Sequence, residues 1–478
     1  MRTRYDAPWI IAHSSEGGTP GHRLLRDGSV VVDGDRISYV GSERPADVDR
    51  VVAVDRVIAP GFISTHTHMN ESPADKSLTE DIAKRQFWST NLIEVLPPRA
   101  QALNEEDARA CVDFSIMEHL QTGCTTVVQM GDQSRYVAEA AERTGLRAYI
   151  AESYRSGRWL TSDGRRVEYE WDEAAGWAGF ERATALIDEI SGRANGRIRG
   201  FLAPAQVDTC TEDLLVASAR AAQELDVPVS LHAAQSLSEF LEMTRRHGRT
   251  PIEWLDDIGF LGPRAILGHV IFTTGSPWVN FHGDDLGLLA DSGTTVAYNA
   301  WVMARNGIVL ESFDKYRERG VNLTLGTDTI AQSMIESCRW TAILGKVVER
   351  RSDGTTAAQV FDAATVHAAR ALGRDDLGRI EAGAKADLVF WATDSLSMTP
   401  LRDPIRNIVY YSQASDVREV LIDGEVVYDE NGVRGLDEEE TAARIQRVGE
   451  RVWASWQDHD WAGRTIEEHF PLSYPALG

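Results

Sequence analysis

Two histidines one residue apart, His66 and His68, close the apolar run Val57-Ile-Ala-Pro-Gly-Phe-Ile-Ser-Thr. Side chains along a strand alternate between faces, so on a strand both imidazoles leave from one face. Their backbone separation would be roughly 6 to 7 Å, close enough to lean on one divalent ion. Comparable apolar runs end in His232 (Val227-Pro-Val-Ser-Leu-His), His269 (Ala265-Ile-Leu-Gly-His) and Asp328 (Val321-Asn-Leu-Thr-Leu-Gly-Thr-Asp). Singly, each has an ordinary reading: a pair on a surface turn, a satisfied core histidine, an aspartate capping the next helix. Together, at the ends of four separate runs, they point to a metal centre. Imidazole nitrogen and carboxylate oxygen suit zinc foremost, with cobalt, manganese and iron also accepted. His269 can be read as a ligand or as a group orienting what binds the ion.

The elements that must position these residues form a rhythm. Strand candidates 124–130, 147–152, 198–204, 227–232, 265–269, 294–298 and 321–328 follow the opening run, most of them trailed by a helix-length stretch. With the opening strand they make eight βα units, the pattern of a closed parallel barrel whose active site lies at the C-terminal strand ends. One intervening helix is predicted over 104–122, opening on acidic residues and closing on Gly123. Ahead of the barrel, residues 1–58 carry short β signals and an Asp33-Gly34-Asp35 hairpin turn. After it, a helix is expected over 355–371, then strands with a second Asp-Gly turn at 423–424. The fold expected is therefore α/β: a (β/α)8 TIM-like barrel over 59–375 with a small composite β-sandwich made by 1–58 and 376–436. A helical tail over 437–478 follows. In it Trp453, Trp456 and Trp461 read as packing anchors, and His459 and His469 as surface residues.

Composition narrows the partners. Across 478 residues the hydrophobic share is 43% and the formal charge is −24, so a large core is affordable and nucleic acid or an anionic membrane would be repelled. A small-molecule substrate fits better. Cys111, Cys124, Cys210 and Cys338 show no C-x-x-C spacing, and no apolar run approaches a membrane span. The expected setting is the cytoplasm.

These motifs carry a family resemblance. Pro60-Gly-Phe-Ile-Ser-Thr-His66-Thr-His68, Gly123-Cys-Thr-Thr-Val, Leu231-His232, Gly268-His269, Leu325-Gly-Thr-Asp328 and Gly378-Arg-Ile-Glu-Ala-Gly-Ala-Lys-Ala-Asp387-Leu-Val together resemble the amidohydrolase superfamily up to about residue 436. By that resemblance His66, His68, His232 and Asp328 would hold one divalent metal, and His269 would orient the attacked group or the water. The fourth strand, near Phe201-Leu-Ala-Pro204, lacks the lysine that bridges two metals in binuclear members, so the mononuclear branch of triazine hydrolases and cytosine deaminases is implied. Two departures stand out. Aminohydrolases of that branch carry a glutamate three positions after the fifth-strand histidine, where this chain has Gln235, and their seventh strand ends differently from Tyr298-Asn299-Ala-Trp301. Glutamine cannot deliver a proton, which shifts the resemblance toward the phenylurea and thiocarbamate (molinate) hydrolases.

The chemistry implied is hydrolysis. A divalent ion lowers the pKa of its water from 15.7 to about 7, and the hydroxide would attack the carbon of an amide, urea or carbamate. Asp328 is expected to take the water proton and pass it to the leaving nitrogen, with His269 stabilising developing charge. Asn70, Gln235, Tyr298, Asn299, Trp301 and His269 are the expected substrate contacts, and Phe87, Trp88 and Trp159 candidate aromatic walls. The alternatives are an aminohydrolase of a heterocyclic amine and a catalytically silent barrel kept as a scaffold. A homodimer or higher homo-oligomer is expected from related barrels.

Overall fold

Eight parallel strands surround one axis, and each presents its C-terminal end to the same side. The structure, a computed structural model, describes residues 1–15, 20–74, 76–80 and 90–475. The barrel strands are β1 Phe62–Thr67, β2 Cys124–Gly131, β3 Arg147–Tyr154, β4 in two pieces (Ile198–Gly200 and Ala203–Pro204), β5 Val229–Ala233, β6 Ala265–His269, β7 Thr295–Tyr298 and β8 Asn322–Leu325. Parallel ladders join β1 through β4 and β5 through β8. The two arcs meet through single bridges, Leu202 to Val229 and Gln206 to His232 on one side and Thr67 to Asp328 on the other. Those last two bridges lie at, or one residue from, the candidate ligand residues.

Alternation along the strands explains the two-layer core. Ile63, Val128, Met130, Tyr149, Ala151, Phe201, Ile266 and Ala297 point into the lumen and form one buried cluster. Their neighbours Val127, Ala148, Ile150, Leu231, Leu267 and Val296 point outward into the layer shared with the helices. Helices such as Glu105–Gln121, Ser134–Thr144, Glu173–Ile190, Glu212–Glu224 and Leu237–His247 fill the crossovers. The first of these begins as its acidic opening predicts: the Asn104 side chain accepts from the Asp107 N–H at 2.9 Å and the Asp107 carboxylate accepts from the Asn104 N–H at 3.3 Å.

Both ends of the chain build the second unit. Leu388–Ala392 runs antiparallel to Arg56–Pro60, which lies beside Arg2–Ser14, so strands from either end share one nine-stranded sheet. Tyr5, Ile10, Val30, Ile58, Leu388, Phe390 and Leu421 form its own core. Arg147, 1% exposed at the base of β3, is held bidentately by Asp387 at 3.0 Å and by Asp423 at 2.6 Å, which ties barrel to sheet on the side away from the ligands.

Three local features differ from the sequence reading. The run from Val57 to His68 is two strands, because Gly61 breaks it where a Cβ would stand 2.1 Å from Thr125 Oγ1. Its first half belongs to the terminal sheet and only its second half to the barrel. The helix expected over 355–371 is two, Ala357–Ala363 and Val366–Ala371, separated at Thr365, whose backbone is non-helical. An unforeseen hairpin, Gly157–Leu160 paired with Glu168–Trp171, extends beyond β3. Among the described residues no helix is long and apolar enough to cross a membrane.

Candidate metal centre and its cavity

Four imidazoles converge at the ends of β1, β5 and β6. Ring centroids lie 5.0 Å apart for His66 and His68, 4.7 Å for His66 and His232, and 5.5 Å for His232 and His269. The tautomers follow from what sits behind each ring. His68 Nδ1–H donates to the Met130 carbonyl at 2.9 Å, and His232 Nδ1–H donates to the Ala205 carbonyl, so both Nε2 atoms carry lone pairs. Those two Nε2 atoms stand 3.1 Å apart. Lone pairs do not hydrogen-bond each other, and this approach is the geometry of two donors to one cation. His66 is fully buried with neither ring nitrogen paired among the described residues, which again calls for an electron-pair acceptor.

Asp328 completes the set. Its carboxylate oxygens lie 3.7 Å from His68 Nε2 and 3.6 Å from His269 Nε2. His66, His68 and Asp328 form one group of ligand atoms within 4.8 Å of one another, and His66, His232 and His269 another. The donors fit a single divalent ion. Burial, helped by the neighbouring rings, holds His66 and His269 well below the usual imidazole range and His232 at about 4, so all three remain neutral. Among the described residues β4 ends in Ala203 and Pro204, with no lysine beside the cluster.

The backbone is shaped to allow this crowding. A Cβ on Gly268 would stand 2.8 Å from His66 Cε1, and one on Gly326 would stand 2.7 Å from the His66 carbonyl. Ala234, His269 and Asp328, at the ends of three strands, sit at φ of 50°, 74° and 60°, a left-handed conformation that costs roughly 1 kcal/mol or more at a non-glycine residue. Gln332 clamps two strand ends: its Oε1 accepts from Thr67 at 2.7 Å and Thr327 at 2.6 Å, while its Nε2 donates to the Asp328 carbonyl at 2.9 Å.

A cavity of about 600 Å³ opens over this floor. Gln206, Gln235, His68, His232 and Asp328 line its base, and Val95, Leu96, Val302 and Met303 line its sides. Gln206 Nε2 donates to Gln235 Oε1 at 3.0 Å and to the Glu239 carboxyl at 2.8 Å, and the Gln235 N–H donates to the same carboxyl at 3.1 Å. With Oε1 taken, Gln235 is left to present its Nε2 hydrogens to a ligand. Burial and the nearby Asp208 carboxylate push the Glu239 pKa well up.

The other expected contacts are distributed differently. Gln235 and Trp159 reach the cavity wall. Asn70 lies behind it, its Oδ1 accepting from Gln129 at 3.1 Å, because the glycine at 131 lets it tuck under β2. Tyr298 is buried with its hydroxyl accepting from the Leu310 N–H at 3.3 Å, and Trp301 packs on Trp340 with centroids 5.3 Å apart. Neither of these lines the cavity. Asn299 Nδ2 donates to His269 Nδ1 at 3.3 Å, and so acts on the site through that ring. Phe87 and Trp88 lie outside the described residues. Of the tail residues read as surface or packing, His459 and Trp461 line the cavity, while His469 is buried at 1% exposure against Trp456 and Phe470. Gln206, Gln332 and Glu239 went unread, although their offsets from Pro204, Asp328 and His232 place them beside strand ends.

Residues 57–427 match the model of the Amidohydrolase family. The 5'-deoxyadenosine deaminase of Methanothermobacter thermautotrophicus is 29% identical over 420 residues, covering 87% of this chain and 92% of that protein. The 5-methylthioadenosine/S-adenosylhomocysteine deaminase of Halobacterium salinarum is 30% identical, covering 90% and 95%. Among solved structures, an adenosine deaminase from Xanthomonas campestris with bound zinc superposes with a TM-score of 0.79 at 23% identity, over 94% of this chain and 98% of that one. A variant of the Arthrobacter aurescens atrazine chlorohydrolase complexed with zinc and atraton gives 0.79 at 21% identity, over 93% and 99%. With a family match running from β1 through the terminal sheet, and neutral imidazoles gathered round one carboxylate, the chain belongs to the amidohydrolase family and is a metal-dependent enzyme that hydrolyses carbon–nitrogen bonds.

Proposed function

We propose that the protein is a zinc-dependent aminohydrolase that releases ammonia from an amino-substituted nitrogen heterocycle of the adenine-nucleoside or aminotriazine kind. The observation carrying this reading is one open donor set beneath an apolar cavity, in a chain that aligns along nearly its whole length with deaminases of adenosine derivatives. His66, His68, His232 and Asp328 would hold the ion, which when bound supplies the Lewis acidity that brings hydroxide within reach at neutral pH. Because Asn299 donates to Nδ1 of His269, the proton of that ring sits on Nε2 and faces Asp328 at 3.6 Å. His269 is then a hydrogen-bond donor to oxygen at the attacked carbon. Asp328 takes the proton from the attacking water and returns it to the leaving nitrogen. Gln235 Nε2 donates to the ring nitrogen, stabilising charge there without protonating it. That favours rings already poor in electrons.

A second reading keeps the same machinery and changes the bond. Gln235, an amide where a ring-protonating acid would stand, favours hydrolysis of an amide, phenylurea or thiocarbamate, whose attacked carbon needs no such proton. A substrate panel with zinc-reconstituted protein separates the two. Ammonia from 5'-deoxyadenosine, methylthioadenosine or aminotriazines is the expected result. Amine release from phenylureas or thiocarbamates, with no ammonia from any heterocycle, overturns it in favour of the second reading.

A further inference from the structure

The cavity is larger than one heterocycle needs, since sites of roughly 300–1,000 Å³ enclose drug-sized ligands. Its far end is built by a segment beyond the family-wide match, which stops at residue 427. The helix Glu438–His459 packs along Leu96–Ala102 and Glu105–Gln121, sharing a core of Val95, Cys111, Val448, Val452, Trp456 and Phe470. At its end the chain turns over the mouth, and both His459 and Trp461 line the same cavity as the metal ligands.

The indole of Trp461 is fixed before any ligand arrives. Its Nε1 donates at 2.9 Å to Glu94, whose carboxylate is 1% exposed. Arg464 lies 5.6 Å from the ring centroid and bonds Asp460 at 2.6 Å and Glu94 at 3.4 Å. A residue 39% exposed whose indole has its polar edge satisfied offers an apolar ring face at the rim.

Resting on the carbon–nitrogen hydrolysis read above, we propose that this tail is the outer wall of the substrate site. Trp461 and His459 grip the part of the substrate farthest from the cleaved bond and select a flat or apolar group there. The floor, shared with the family, supplies the chemistry, and the tail sets the length and character of what is accepted.

Trp461→Ala, Trp461→Phe and His459→Ala, prepared as holoenzymes, are titrated calorimetrically with two ligands of one headgroup, hypoxanthine and 5'-deoxyinosine. The expected result is that Trp461→Ala weakens the larger ligand by about tenfold and the smaller by less than twofold, with metal content unchanged and most of the loss recovered in Trp461→Phe. Equal weakening of both, or of neither, overturns the proposal. If no purine binds, the adenine-nucleoside branch of the deaminase reading fails, and N-phenylurea against N-methylurea carries the same comparison. Failure of Trp461→Ala to discriminate within that pair also overturns the proposal.

Discussion

At position 235 the side-chain oxygen is already engaged by Gln206, and only amide hydrogens face the cavity. A neutral donor stabilises charge, whereas a carboxylic acid delivers a proton and contributes roughly 10²- to 10⁴-fold to such a step. Gln235→Glu should therefore raise ammonia release from amino-heterocycles by about tenfold or more and add an acid-dependent limb to the pH–rate profile, both read by steady-state kinetics. No gain would show that ring protonation is not the step this site lacks. His66, His68, His232 and Asp328 were legible because barrel strands deliver side chains at their ends and the chain spells each end in apolar residues. The positions of Asn70, Tyr298 and Trp301 were not, because a strand end and its following loop project side chains both into the mouth and behind it. Only the packing of Gln129, Leu310 and Trp340 decides which.

Between strands, space is the controlling quantity. Gly268 on β6 faces His66 on β1 across the lumen, and a methyl group there would approach His66 Cε1 to 2.8 Å. Gly268→Ala must push the imidazole off its place, an overpacking that costs about 1–3 kcal/mol. The expected outcome is a barrel that still folds, binds metal at least about tenfold more weakly and melts a few degrees lower, checked by chelator competition and thermal melts. Unchanged metal affinity would mean His66 is not held where the ion needs it. The βα rhythm was readable because buried strands are short apolar runs with glycine or proline at their ends. The division at Gly61 was not, since the residues on either side are equally apolar and pass from one sheet into the other without a polar turn. The hairpin at 157–171 escaped because its strands are four residues each, so the alternation of Glu168-Tyr169-Glu170-Trp171 runs over too short a span to stand out.

Across the whole molecule, buried neutral histidines link folding to pH. Burial lowers His22 and His119 to about 3 and His367 to about 4, from an ordinary 6.5. The unfolded chain binds protons at these sites near pH 6.5 that the folded chain refuses, so their contribution is complete above about 6.5 and lost as pH falls toward 4. Metal-free protein should accordingly lose several degrees of melting temperature between pH 7 and 5, with the ligand imidazoles pushing the same way. A flat melting temperature over that range would contradict the burial assigned to these rings. The pairing of the two chain ends could be anticipated from their matching Asp-Gly turns. The return of the tail to the active-site mouth could not: no local pattern in Glu438–His459 records that it packs against residues more than three hundred positions earlier. Titration of chelator-stripped protein with zinc asks whether a single catalytic ion is held by residues of β1, β5 and β8. Turnover of whichever panel substrate is accepted should rise linearly and level at one equivalent per chain, and His232→Ala should neither bind nor recover. Activity in the stripped protein, or a plateau at two equivalents, would contradict it.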